Sequence, residues 1–193
     1  MDAGALIAFV TKRVPEAVAS SHAWRGDATL VLRREHLIET ARVLRDDAAL
    51  AMNLLVDLTA VDYSTHGESP VPAFFSSSGV STRTDSSIPD ENPWPGPPLG
   101  AHFAVVYHFF STTLTHRLRL VVPLAAADEE VDTVSAIWPA ANWLEREAWD
   151  MFGIRFNGHP DPRRILMYEE FEGPPLRKDY PVNARQPLIG PEN

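Results

Sequence analysis

Cysteine is missing from the sequence altogether, which excludes thiolate ligation of an iron–sulfur cluster, a Cys-type zinc site and any disulfide. Positive charge is scarce: 17 Lys and Arg stand against 26 Asp and Glu, for a net charge of −9. Nucleic-acid binding needs a basic surface to neutralise phosphates, so that class of partner is not expected. No apolar run approaches the roughly 18 residues that a membrane-spanning helix requires. The apolar opening, Leu6 to Val10, follows an acidic rather than a basic lead and is interrupted by Lys12-Arg13, so it reads as no signal peptide. The expectation is a soluble or peripheral cytoplasmic protein without direct membrane insertion. Also lacking are H-E-x-x-H, G-x-S-x-G, G-x-G-x-x-G and phosphate-loop patterns, and there is no internal repeat.

What is there suits one domain with appendages: 193 residues of which 45% are hydrophobic, enough for a sizeable core. Leu6, Ile7, Val10 and Val14 share one helical face and predict a short amphipathic helix ending before Pro15. Segments 17–21 and 29–32 predict two strands, pairing as a hairpin around the turn-prone Gly26-Asp27. Leu37, Ile38, Ala41 and Leu44 predict a second amphipathic helix with a solvated charged face. Segment 54–63 predicts a central strand; its Asp57 and Asp62 read as loop-capping carboxylates in preference to metal ligands. The clearest strand pair is 101–111 with 115–123, because both segments alternate in polarity around a three-residue turn. His102, His108 and His116 fall on both faces and in the turn, which favours surface or satisfied histidines over a metal cluster. Asp128, Glu129 and Glu130 predict the start of a helix burying Val131, Val134, Ile137 and Trp138.

Between these elements, Ser64 to Gly100 holds seven of the chain's 17 prolines and eight serines. It reads as a long loop inserted in the domain.

The densest stretch runs from Asn142 to Pro181. Asn142 with Glu145 three residues later forms an N-x-x-E variant of the capping box, predicting a helix from Trp143. Leu144, Ala148, Met151 and Phe152 form its apolar stripe, and Gly153 fits a left-handed terminator. Arg146 and Asp150 are spaced to pair on one face. His159-Pro160-Asp161 reads as a turn with a local His-to-carboxylate bond. The segment beyond is rich in Gly, Pro, aromatic and charged residues. It cannot easily make a core of its own and suits contact with another protein. From Arg155 onward six basic side chains face six acidic ones, so the acidic excess lies in the first 154 residues. Whether the charged pairs are buried or exposed decides their worth, and the sequence leaves both open. An enzyme reading would recruit Glu145, Glu147, Asp150 and His159 as the metal ligands of a small hydrolase.

Glu145-Arg146-Glu147-x-x-Asp150-Met151-Phe152-Gly153-Ile154-x-Phe156-x-Gly158-His159-Pro160-Asp161-x-Arg163-Arg164-Ile165-Leu166, with Gly173-x-Pro175-Leu176-Arg177-Lys178-Asp179-Tyr180-Pro181, closely resembles the signature of the NuoC-type (30 kDa) subunit of respiratory complex I. The resemblance implies an α+β fold, with a mixed, largely antiparallel sheet flanked by helices and an extended irregular C-terminal segment. It implies a domain over 1–153, with the insert at about 64–100, and a partner-contacting tail over 154–193. It implies a non-redox structural subunit on the cytoplasmic face of the membrane, with no catalytic or metal residues of its own. FMN, Fe–S clusters, NADH and quinone would then belong to partners, chiefly the NuoD-type, NuoB-type and NuoI-type subunits. The residues expected at the subunit interface are Glu145, Arg146, Glu147, Asp150, Gly153, His159, Asp161, Arg163, Arg164, Arg177, Lys178 and Asp179. A membrane-bound hydrogenase related to complex I would carry an equivalent subunit.

Overall fold

The computed structural model describes residues 1–64, 101–126 and 128–187. Helix α1 spans Ala3–Arg13, capped by Asp2, whose Oδ1 accepts the Ala5 N–H at 2.7 Å. It buries Leu6 and Val10, as their four-residue spacing requires. Strands β1 (Val18–Trp24) and β2 (Asp27–Leu32) pair antiparallel, with Trp24 opposite Asp27. The two linking residues, Arg25 and Gly26, have φ of 48° and 90°, the mirror-image turn that matches strand twist in tight hairpins. The hairpin forms as expected, with longer strands and its turn one residue earlier. A 3-10 turn at Arg34–His36 leads into helix α2, Leu37–Asp46, which buries Leu37, Thr40, Ala41 and Leu44.

Strand β3 (Leu54–Asp62) pairs antiparallel with β4 (Phe103–Phe110), which pairs antiparallel with β5 (Arg117–Leu124). Strand β5 then pairs parallel with β2 through Ala28↔Leu118 to Val31↔Val121. The sheet order is β1-β2-β5-β4-β3, a mixed and largely antiparallel sheet within an α+β fold. Among the described residues, segment 54–63 is therefore an edge strand and not a central one. Its Leu55, Leu58 and Ala60 are buried on the helix-covered face, which gives it the apolar content of an interior strand. The insert beyond Ser64 lies outside the described residues.

The expected helix after Asp128 does not form. Glu130–Asp132 is a short strand, β6, pairing parallel with β7, Arg155–Asn157. Val134 and Trp138 are buried from the turns that follow. The Trp138 indole N–H donates to the Met52 carbonyl at 3.0 Å. Helix α3 spans Ala141–Phe152, with Ala140 at its N-cap and no side-chain cap, so Asn142 lies inside the helix. It ends as expected at Gly153, whose φ of 78° is left-handed.

One face of the sheet carries the main core. Helix α1 packs on β1, β2 and β5, and α3 packs on β3. Leu30, Leu32, Val105, Tyr107, Phe109, Leu118, Leu120 and Val122 point into that layer. The opposite face holds a small separate cluster of Val31, Ala104, Val106 and Val121, flanked by Val61 and Tyr63.

Candidate partner-binding surface

Helix α3 carries two fully enclosed carboxylates, Glu145 and Asp150, and the chain on either side is folded around them. Glu145 turns inward and makes no capping box. Its Oε2 accepts from the Thr133 hydroxyl at 2.5 Å and its Oε1 from the Val134 N–H at 2.8 Å. Burial pushes its pKa up to about 7 against the pull of those two donors. The neighbouring Tyr107 hydroxyl is also buried, with no hydrogen-bond partner among the described residues. Burial first, and then the carboxyls of Glu145 and Asp132, drive its pKa well above that of a free phenol.

Asp150 has the opposite fate. Its Oδ2 accepts the N–H groups of Ile165, Leu166 and Met167 at 3.1, 2.9 and 2.9 Å. Its Oδ1 meets Arg164 Nη1 at 2.5 Å. Burial alone would raise this carboxyl, but the three backbone donors and the guanidinium together hold it below the usual aspartate value. Arg164 also donates to the Phe171 carbonyl at 2.8 Å and packs against the rings of Trp149 and Phe171. Asp150 thus pins the first turn of the C-terminal segment to the helix.

The expected Arg146–Asp150 pair is absent, because each side chain is drawn to the returning chain. Arg146 donates to the carbonyls of Arg163 and Arg164 at 3.0 and 2.9 Å, with Asp161 at 3.6 Å. Asp161 forks onto the exposed Arg163 at 2.5 and 2.8 Å. His159 bonds backbone and not a carboxylate. Its Nδ1 accepts the Asp161 N–H at 3.0 Å, leaving Nε2 to face the Asn142 carbonyl at 3.1 Å and Glu145 at 3.7 Å. Glu147 stands exposed on the outer side of the helix.

A second fastening lies further along. Arg177 meets Glu129 at 2.8 and 3.3 Å and Asp179 at 3.1 Å, and its guanidinium sits 4.8 Å above the Phe103 ring. Hydrogen bonding to Glu129 raises the Arg177 pKa further. Glu129 is shared with His102 Nδ1 at 2.9 Å. The Lys178 N–H donates to Asp62 at 2.8 Å and the Leu176 N–H to the Met151 carbonyl at 3.0 Å. The Lys178 and Asp179 side chains remain exposed. The strap packs over Gly153 at ordinary contact distance, a Cβ there standing 3.5 Å from Pro174, so it is the left-handed φ of 78° that calls for glycine here.

The structure therefore gathers Arg146, Asp161, Arg163, Arg164 and Asp150 into one network, and sets Arg177 with Asp179 in another. Glu129, His102 and Asp62 complete the second of these networks and Thr133 holds Glu145 apart from both, and the sequence pattern does not mark them as site residues. Their acidic or polar type is visible there, but their partners lie far along the chain. Among the described residues no group of three His, Cys, Asp or Glu side chains could hold a metal. Glu145 and His159 approach each other, but Asp150 is taken by Arg164 and Glu147 points outward. The hydrolase quartet does not assemble. Along the strap, Leu166, Tyr168 and Leu176 stand exposed, and on α3 Trp143 is 62% exposed with the Arg146 guanidinium 5.4 Å over its ring.

Fold and site together define an α+β domain with an irregular strap sutured to it, carrying outward-facing apolar side chains. The chain belongs to the family of the respiratory-chain NADH dehydrogenase 30 Kd subunit, whose family model matches residues 30–186. It is 36% identical over 181 residues to the C subunit of the NADH-quinone oxidoreductase of Citrifermentans bemidjiense, covering 93% of this chain and 91% of that one. It is 44% identical over 165 residues to the protein of the same name in Acidithiobacillus ferrooxidans, covering 84% and 67%. A trypsin-resistant fragment of Nqo5 is similar in fold at TM-score 0.57 and 26% identity, covering 83% of this chain and 99% of the fragment. A chain of an archaeal membrane-bound sulfane sulfur reductase shares the fold at TM-score 0.60 and 18% identity, covering 93% and 86%.

Proposed function

We propose that this chain is a non-redox structural subunit of a proton-pumping NADH:quinone oxidoreductase. It would sit in the hydrophilic arm on the cytoplasmic face of the membrane. The observation that carries this reading is the strap pinned by Asp150 and Glu129, because its backbone is held by the domain while Leu166, Tyr168 and Leu176 are offered outward. A segment already ordered before binding avoids much of the entropy loss of ordering on contact. Leu166 and Leu176 are 56% and 54% exposed, so covering what remains of each contributes about 1 kcal/mol, roughly half the value for burying a whole side chain. With no cysteine and no His/Asp/Glu cluster that could hold a metal among the described residues, electron transfer falls to partners. FMN, Fe–S clusters, NADH and quinone would lie in neighbouring subunits. NuoD-type, NuoB-type and NuoI-type subunits are the expected contacts of the surface carrying Arg146, Glu147, Gly153, Asp161, Arg163, Arg164, Arg177, Lys178 and Asp179, while the enclosed Glu145, Asp150 and His159 serve that interface from behind by holding the segment in place. The division into a domain over 1–153 and a contacting tail over 154–193 fits this use.

The test is recovery of the tagged chain from its native membranes in mild detergent, with identification of co-purifying proteins and an NADH:quinone reductase assay. Cluster-bearing subunits and reductase activity are expected with the parent chain. Asp150→Ala should lower both about tenfold or more, since it leaves a half-buried guanidinium and three N–H groups without their acceptor. A solitary parent chain, or an Asp150→Ala chain that assembles normally, would contradict the proposal.

A further inference from the structure

Of the chain's six asparagines only Asn157 precedes glycine, and the fold puts that dipeptide where the strap leaves the domain. Asn157 is the last residue of β7, through which the strap is laddered to β6. Its carbonyl accepts the Thr133 N–H at 3.0 Å, and the Thr133 hydroxyl in turn holds Glu145. Gly158 follows with a left-handed φ of 77° and turns the chain so that His159 Nδ1 accepts the Asp161 N–H. Asn157 and Gly158 are both exposed. The ladder takes the backbone groups of Arg155 and Asn157 toward β6, so the Gly158 N–H, one step on, is not part of it. Among the described residues neither that N–H nor the Asn157 side-chain amide is hydrogen-bonded.

The backbone nitrogen that follows an asparagine can attack its side-chain amide, and glycine, having no Cβ, shields that nitrogen least. Here the bond formed is Gly158 N to Asn157 Cγ. The bond broken is Cγ to Nδ2, and the Gly158 proton leaves with the ammonia. Water then opens the cyclic imide at either carbonyl, giving aspartate, or isoaspartate with the main chain running through Cγ. The extended backbone of β7 holds Cγ back from that nitrogen, so the step waits on local fraying. Strand β7 is three residues long with both end residues exposed, the kind of segment that opens at small free energy. We propose that Asn157-Gly158 is a site of spontaneous deamidation, and that conversion there loosens the start of the strap. Either product brings a carboxylate opposite Asp132 in the ladder, across a strand spacing of roughly 4.8 Å, where like charges destabilise the pairing. Isoaspartate also lengthens the backbone by a methylene, which carries the carbonyl that receives the Thr133 N–H out of register.

The test incubates the purified full-length chain in mildly alkaline buffer and maps its peptides by mass spectrometry, with isoaspartate read by enzymatic methyl transfer. The expected result is the mass gain of an amide becoming an acid, together with isoaspartyl label, on the peptide holding Asn157. Both signals should stand many-fold above those on the peptides holding Asn53, Asn142 and Asn183. Asn157→Ser, which removes the reactive amide, should abolish them. Asn157→Asp supplies one product directly and should raise trypsin cleavage at Arg155 or Arg163 several-fold, with cleavage at Arg42 and Arg117 in the domain unchanged. Conversion at Asn157 no faster than at the other asparagines, or signals that survive Asn157→Ser, would overturn the site. Cleavage of Asn157→Asp equal to the parent's, or rising alike at all four positions, would overturn the local loosening.

Discussion

Glu145 keeps its proton at a pH where an exposed glutamate has lost it, and Asp150, five residues on, does the reverse. Both are enclosed on one helix, so burial does not separate them. The donors do: two neutral groups serve Glu145, whereas three backbone N–H groups and a guanidinium serve Asp150. The consequence for Glu145 can be signed. Its carboxyl rises from 4.5 in the unfolded chain to about 7 in the folded one, so between those values the folded state binds more protons. Stability must therefore fall as pH rises through that window, by on the order of 3 kcal/mol in total, and level off above about 7. Glu145→Gln, which keeps the shape and stays neutral, should flatten the decline. Urea unfolding of both chains at pH 5 and pH 7.5 checks this; equal slopes in the two chains would refute the assignment. Asp150 acts oppositely, contributing above the ordinary aspartate value and losing its contribution as pH falls through its lowered one.

At the scale of elements, the strap is held at points and not by a ladder. Among the described residues its only strand pairing is that of β7 with β6. Beyond Met167 the fastening depends on Arg177, with its fork on Glu129 and its stacking on Phe103. Arg177→Ala should free that half for proteolysis while the domain's own unfolding midpoint moves little. Trypsin digestion followed by mass spectrometry reads it: cleavage at Lys178 or Arg185 rises several-fold if the fork governs the segment, and stays unchanged if it does not. Periodicity made α1, α2, the β1–β2 hairpin and the β4–β5 pair legible, because their buried residues repeat at steps set by local geometry. It misled at Val131, Val134 and Ile137, whose three-residue spacing mimics a helix but comes from a strand followed by turns. That strand exists only because Arg155–Asn157 returns to pair with it. Asn142 and Glu145 matched a capping pattern, yet the glutamate is claimed by Thr133. The charged types of the site were legible too, but Arg177 with Glu129 and Lys178 with Asp62 lie 48 and 116 residues apart. Such partners are chosen by the fold, and spacing along the chain does not show them.

For the whole molecule, the uneven charge has a simple use. The excess that sums to −9 resides before Arg155, which keeps the domain soluble by self-repulsion while the balanced strap can approach surfaces of either sign. The one parallel pairing of the main sheet, β2 against β5, has a consequence of a different kind. It joins the β1–β2 hairpin to the β3–β4–β5 meander through four residue pairs, from Ala28↔Leu118 to Val31↔Val121. Each half closes without the other, but the seam must bring together residues far apart in sequence, and the loop entropy of that closure precedes any reward. The seam should thus form after the folding transition state. Leu30→Ala in β2 should chiefly speed unfolding, while Val105→Ala in the β4–β5 pair should chiefly slow folding. Stopped-flow chevrons decide it, and the reverse assignment would place the nucleus at the seam. On this order of events the amino-terminal hairpin joins last, and a nascent chain stalled before that step would show its neighbours an open edge of β5.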